Sequence, residues 1–129
     1  MTASARLLWT LAPGLICACS SDSAGPVAAT FEVSFATSAT DDGAVLFTVS
    51  GGPVDSVEAA GYRLYTARTG PTSTRVVVAG DLRAGVIARI HIADGRKLGQ
   101  YSATINQVAA RGSSYAQRDP VSYSLMVEE

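Results

Sequence analysis

Cys17 and Cys19 are the only thiols in this chain of 129 residues, and His91 is its only imidazole. A thiol can be acylated, oxidised to a disulfide, bound to a metal or used as a nucleophile, whereas an imidazole suits general acid–base work. One histidine excludes a two-histidine metal site within a single chain. A Ser/His/Asp arrangement would draw on His91, Asp94 and a serine from another strand. Asp94, however, stands in an Asp94-Gly95 turn, where aspartate serves turn geometry, and no Gly-x-Ser-x-Gly elbow presents a nucleophile. Asp41-Asp42-Gly43 and Asp94-Gly95 each offer oxygens to calcium, yet neither repeats its acids at the spacing of a calcium loop, so both read as plain turns. Asp55 and Glu58 would support acid–base chemistry only in a cleft, and on a weak strand they read as a solvated pair. No glycine-rich loop enters a helix to cradle phosphate. These residues predict no catalytic site, no metal and no cofactor, with His91 as a solvent-facing strand residue.

The chain that must position them alternates in short segments between turns. Phe31, Val33 and Phe35 occupy every second position, with Glu32 and Ser34 between them, which is the period of a strand with one buried face. Asp41-Asp42-Gly43 is expected to turn the chain, its glycine tolerating positive φ. Ala44–Ser50 then forms a second, more continuously apolar strand closed by Gly51-Gly52-Pro53. Val54–Ala60 predicts a weaker strand. Tyr62–Thr69 predicts another, with Arg63, Tyr65 and Ala67 on the side opposite Tyr62, Leu64 and Thr66. Arg75–Ala79 is a β-branched run broken at Gly80-Asp81. Val86, Ala88, Ile90 and Ile92 are expected to face inward against Ile87, Arg89 and His91, and Asp94-Gly95 is a hairpin signal. Tyr101, Ala103, Ile105 and Gln107 alternate with Ser102, Thr104 and Asn106. After a polar loop from Arg111 to Asp119, Val121, Tyr123, Leu125 and Val127 are expected to face inward.

Seven or eight short strands without a long amphipathic helix predict an all-β fold, an antiparallel β-sandwich. The sandwich is preferred to a barrel because inward alternation in four separate segments supplies both inner faces of a core. The last two strands, joined by the longer loop, are either adjacent or lie across that core.

Ile16-Cys17-Ala18-Cys19 ends a short apolar run with an aliphatic residue three places before a cysteine and a small residue directly before it. This pattern resembles the lipobox of bacterial lipoproteins. The resemblance implies a signal peptide over 1–18, cleavage between Ala18 and Cys19, a diacylglyceryl group on the Cys19 sulfur and a flexible tether over 19–29. The residues agree with it. Arg6 precedes the apolar stretch Leu7–Ile16, which at about ten residues is too short to cross a bilayer core. Pro13-Gly14 would break a buried helix, and Ser20, Ser21, Gly25 and Pro26 suit a tether. Cys17 is the poorer anchor because bulky Ile16 directly precedes it. An ordinary secretory signal cut near Ala18 is the alternative. Lipidation of Cys19 would leave no free thiol, so the domain over 30–129, about a hundred residues, would rest on its core alone. Ser20 after the anchor resembles the pattern of lipoproteins sorted to the outer membrane of a two-membrane cell. The formal charge of −1 and the scattered basic residues give no footprint for nucleic acid.

The body resembles the immunoglobulin-like and cohesin-like modules of bacterial exported proteins. Ala44–Val49, the Gly80–Gly85 turn and Tyr101–Ile105 carry that impression, although the sandwich cysteines and central tryptophan of immunoglobulin domains are absent. Cohesin-like modules imply noncovalent protein attachment. No residue is assigned to such an interface by match; Tyr65 and Tyr115 are the aromatic residues expected to be exposed, so Tyr65 flanked by Arg63, or Tyr115 in the loop with Arg111, Gln117 and Arg118, is the candidate binding surface for an envelope protein or a glycan. Loss of Trp9 with the signal weakens the carbohydrate reading. The expectation is an exported, lipid-anchored, non-enzymatic binding or adhesion module whose other contact is the membrane. The alternative is a structural spacer lipoprotein, which a uniformly polar surface would favour.

Overall fold

The chain's computed structural model describes residues 25–112 and 115–129, so the expected signal segment, the Ala18/Cys19 cleavage site and the lipidation position lie outside the described residues. The described residues form an antiparallel β-sandwich of nine strands: β1 (Ala29–Ala36), β2 (Asp42–Ser50), β3 (Ser56–Ala59), β4 (Arg63–Gly70), β5 (Ser73–Leu82), β6 (Gly85–Ile92), β7 (Ser102–Ala110), β8 (Gln117–Arg118) and β9 (Ser124–Glu128). One sheet has the order β3-β6-β1-β9 and the other β4-β5-β2-β7-β8. The last long strands, β7 and β9, therefore lie across the core from each other. No helix among the described residues is long and apolar enough to cross a membrane.

The period-two pattern builds the core directly. Phe31, Val33 and Phe35 of β1 and Ile90 and Ile92 of β6 meet Val45, Phe47 and Val49 of β2 and Val76 and Val78 of β5, all essentially without solvent exposure. β-branched and aromatic side chains at alternate positions fit a pleated surface that is buried on one side.

Where the structure departs from simple alternation, an extra residue in a strand is the cause. Val33 pairs with Ala88 but Ser34 with Val86, so Ile87 is surplus and turns into the core, while Val86 is only half-buried. Leu46 pairs with Gln107 but Phe47 with Ile105, so Asn106 is surplus, Gln107 is exposed and Val108 takes the inward place. A bulge shifts the alternation by one, which side-chain period alone does not foretell.

Three expected turns are not turns. Asp42 and Gly43 begin β2. Gly80 and Asp81 lie within β5, which runs on to the fully buried Leu82. Asp94-Gly95 starts a 3₁₀ segment, Gly95–Gln100, that carries the chain from one sheet to the other. There Asp94 accepts from the Arg96 backbone N–H at 3.1 Å and from its Nε at 2.9 Å, and these bonds hold the carboxyl below its ordinary pKa. Val121, expected inside, is 88% exposed, because Pro120–Ser122 forms a second 3₁₀ turn ahead of β9.

Candidate functional site

The candidate surface residues come from three distant parts of the chain. Arg63 opens β4, Arg111 follows the last residue of β7, and Tyr115 lies in the loop before β8. The fold brings these three to one open pocket of about 330 Å³ at the β2/β5 end of the five-stranded sheet, shared with Gly43, Ala79, Gly80 and Asp81. Register explains the convergence. Arg63 pairs with Ala79 and Ala79 with Ala44, so the β4 arginine sits beside a floor of small residues.

Gly43 makes the close approach possible. A Cβ there would stand 2.7 Å from the Arg111 Cα and 2.8 Å from its N, both backbone atoms. Gly80 has φ of +145°, a region that side chains disfavour. Tyr115 also takes positive φ, at 42°, and is 65% exposed. That conformation is uncommon outside glycine.

Electrostatics divide the pocket. Asp81 ion-pairs with Arg111 and with Arg83, the latter at 3.2 Å. Partial burial pushes its carboxyl up, but the two guanidiniums outweigh this and hold it below the ordinary value. Arg63 has no hydrogen-bond or ion-pair partner among the described residues. The pocket thus offers one guanidinium without a partner among the described residues, a second one tied to a carboxylate, and an exposed phenol ring. Tyr65, 62% exposed, lies one step along the same outward face, paired with Val77.

Arg118 belongs to a different cluster. Its Nη2 donates to Asp41 Oδ2 at 2.6 Å, and its Nη1 approaches the Tyr123 hydroxyl at 3.5 Å and Asp42 Oδ1 at 3.6 Å. Asp42 is wholly buried and also accepts from Thr37 Oγ1 at 2.6 Å and from the Tyr123 hydroxyl at 2.8 Å. The Tyr123 ring stacks on Phe35 with centroids 5.5 Å apart. Its hydroxyl pKa is raised, by burial first and by Asp42 next, against the opposing pull of Arg118.

His91 is partly exposed on the outer face of the four-stranded sheet, between Thr30 Oγ1 (2.8 Å from Nδ1) and Glu58 Oε2 (3.2 Å from Nε2). Asp94 is not its partner. Thr30, on β1, and His91, on β6, stand opposite each other in the antiparallel pairing of these strands. Thr30, His91 and Glu58 thus form a cross-strand line of side-chain hydrogen bonds. Among the described residues, no three His, Cys, Asp or Glu side chains converge to hold a metal ion.

In the sequence, Arg63 on one side and Arg111 and Tyr115 on the other read as two separate patches, and no local signal shows that they share one pocket. Asp81 and Gly43, which read locally as turn residues, also line it. No family of known proteins, no curated protein and no solved structure matches this chain.

Proposed function

We propose that the chain is an exported lipoprotein, anchored through Cys19, whose sandwich works as a non-enzymatic binding module at the membrane surface. In this reading the pocket of Arg63, Arg111 and Tyr115 receives a carboxylate-bearing group of an envelope protein or glycan. The supporting observation is the convergence of the Arg63 guanidinium, which has no partner among the described residues, a second guanidinium and an exposed aromatic ring beside Gly43, Ala79 and Gly80. Planar guanidinium groups bind carboxylates through paired hydrogen bonds, and the ring offers a stacking surface. A net positive pocket of this size suits one acidic sugar or one acidic side chain rather than a long polymer. The anchor rests on the lipobox resemblance. A tether from Ser20 to Ala29 reaches roughly 30 Å at full extension, so a partner would be met close to the bilayer.

Two measurements test this. NMR titration of the full chain with glucuronate, and separately with a short acidic peptide, should shift the signals of Arg63, Arg111 and Tyr115. Arg63→Ala should weaken binding of the effective probe at least about tenfold, the worth of one charge-assisted pair. Absence of shifts with both probes, or binding indifferent to Arg63→Ala, would overturn the pocket. Mass spectrometry of the mature amino terminus should find acyl groups on Cys19, and an unlipidated terminus elsewhere would overturn the anchor.

A further inference from the structure

The five-stranded sheet ends in an unfinished strand. β8 pairs with β7 only at Arg118–Val108 and Gln117–Ala109. Pro120 then turns the chain away: Asp119 accepts from the Val121 N–H at 3.1 Å, and the 3₁₀ turn leads across to β9 in the other sheet. Among the described residues, no strand pairs with the β8-side edge of β7 from Ser102 to Gln107. Beside it lies an open groove of about 370 Å³, lined by Ala103, Ile105, Pro120, Val121, Tyr123 and Leu125, among others. Ile105, Tyr123 and Leu125 are only partly buried, and Val121 is 88% exposed.

The other sheet edges carry the usual protections. β3 is four residues long and bears Glu58, β4 carries Arg63 and Arg68, and β9 has five residues and ends in Glu128. Charge and shortness discourage edge pairing. The β7 edge has neither. Ser102-Ala103-Thr104-Ile105-Asn106-Gln107 holds no charge, and its ladder to β2 is regular from Ser102 to Ile105, the bulge at Asn106 lying at the β8 end.

We infer that this groove takes an extended, uncharged peptide segment of a partner protein, apolar at alternate positions, which pairs with β7 in line with β8. β8 shows that a strand fits antiparallel in this slot, and it fills only the first two places. Outward-directed backbone N–H and C=O groups of β7 need an extended backbone as partner, because only that presents donors and acceptors at strand spacing. Alternate side chains of the incoming segment cover Ile105 and Leu125, while Val121 closes over them from the 3₁₀ turn. A charged segment would be desolvated there without a counter-charge. The inference is independent of the arginine pocket, which shares none of these residues.

The test is amide hydrogen exchange by NMR on the full chain, with an acetylated, amidated hexapeptide alternating threonine and valine as probe. Exchange should slow on addition of peptide at β7 edge residues between Ser102 and Gln107. The same peptide N-methylated at alternate residues, which removes its donors on one side, should bind at least about tenfold more weakly. Val121→Lys should also lose at least about tenfold, and its exposure means that the fold is kept. Arg63→Ala should bind this peptide unchanged, which separates the groove from the pocket. Unaltered exchange with peptide present, or equal binding by Val121→Lys, would overturn the inference. So would protection of the same amides that rises with protein concentration alone, because a second copy would then be the occupant.

Discussion

Asp42 and Asp81 stand at the same end of the sandwich, each engaged with arginine, yet they do different things. Asp42 is sealed from solvent and takes hydrogen bonds from two hydroxyls before its longer contact with Arg118. Asp81 is about half exposed and, among the described residues, is held by Arg83 and Arg111. Burial sets the difference. A sealed carboxylate must be satisfied by neighbours, so removing it orphans those neighbours as well. An exposed one exchanges protein partners for water at little cost. The Asp42 cluster therefore locks β2, β9 and the 37–42 connection together, and Asp81 tunes the charge of a surface pocket.

The sharpest way to break this comparison is to truncate both. Asp42→Ala should cost about 3 kcal/mol in urea unfolding, since the Thr37 and Tyr123 hydroxyls lose their acceptor inside the protein. Asp81→Ala should leave the urea midpoint where it is. Equal losses would show that Asp42 is not the structural member of the pair.

The sequence carried the sandwich because the alternations Phe31/Val33/Phe35 and Ala88/Ile90/Ile92 are what two facing sheets require. It could not carry the bulges. Ile87 looks like an outward residue until its neighbours are paired, since which strand holds the surplus residue depends on the partner strand. Asp42 was hidden for the same reason: an Asp-Asp-Gly run signals a turn on local grounds, whereas here the register shift at Gly43 takes the aspartate inside. The pocket was half legible. Arg63, Arg111 and Tyr115 are exposed polar or aromatic residues on strand ends and a loop, but the pairing Arg63–Ala79–Ala44 that gathers them is tertiary. Thr30 and Glu58, the partners of His91, lie 61 and 33 residues from it in sequence and carry no local sign of the contact.

Gly43→Ala tests the junction of the two clusters. The added methyl group meets the Arg111 backbone from within 3 Å, and backbone cannot yield as a flexible side chain would. A loss of about 2 kcal/mol is expected, in the range of overpacking changes. An unchanged midpoint would place β2 and Arg111 further apart.

Tyr123→Phe keeps the stack on Phe35 and deletes only the hydroxyl, so about 1 kcal/mol is expected at neutral pH. Its pH dependence has a definite sign. The folded pKa of Tyr123 lies above the unfolded one, so the folded state favours the neutral phenol. That stabilisation is present below about pH 10 and disappears as pH rises through the folded value. Stability of the parent chain should fall more steeply than that of Tyr123→Phe in alkaline titration, followed by near-ultraviolet circular dichroism. Parallel curves would remove Tyr123 from the buried network.

Asp81→Asn should move stability least and binding most tellingly. The carboxylate holds Arg111 and Arg83, and the guanidiniums hold its pKa below the ordinary value. Its small contribution to stability is thus present above about pH 4 and fades as pH falls through the depressed folded value. At neutral pH the asparagine variant keeps the shape but removes the internal competitor for Arg111. The pocket then presents Arg63 and Arg111 together to an incoming carboxylate, so glucuronate or the acidic peptide should bind several-fold more tightly than to the parent chain. Arg63→Ala acts in the opposite direction. Opposite signs from two single changes are hard to obtain by general loosening of the fold, which would weaken both. If Asp81→Asn weakens binding instead, the aspartate itself receives the ligand, and the pocket selects donors such as sugar hydroxyls rather than carboxylates.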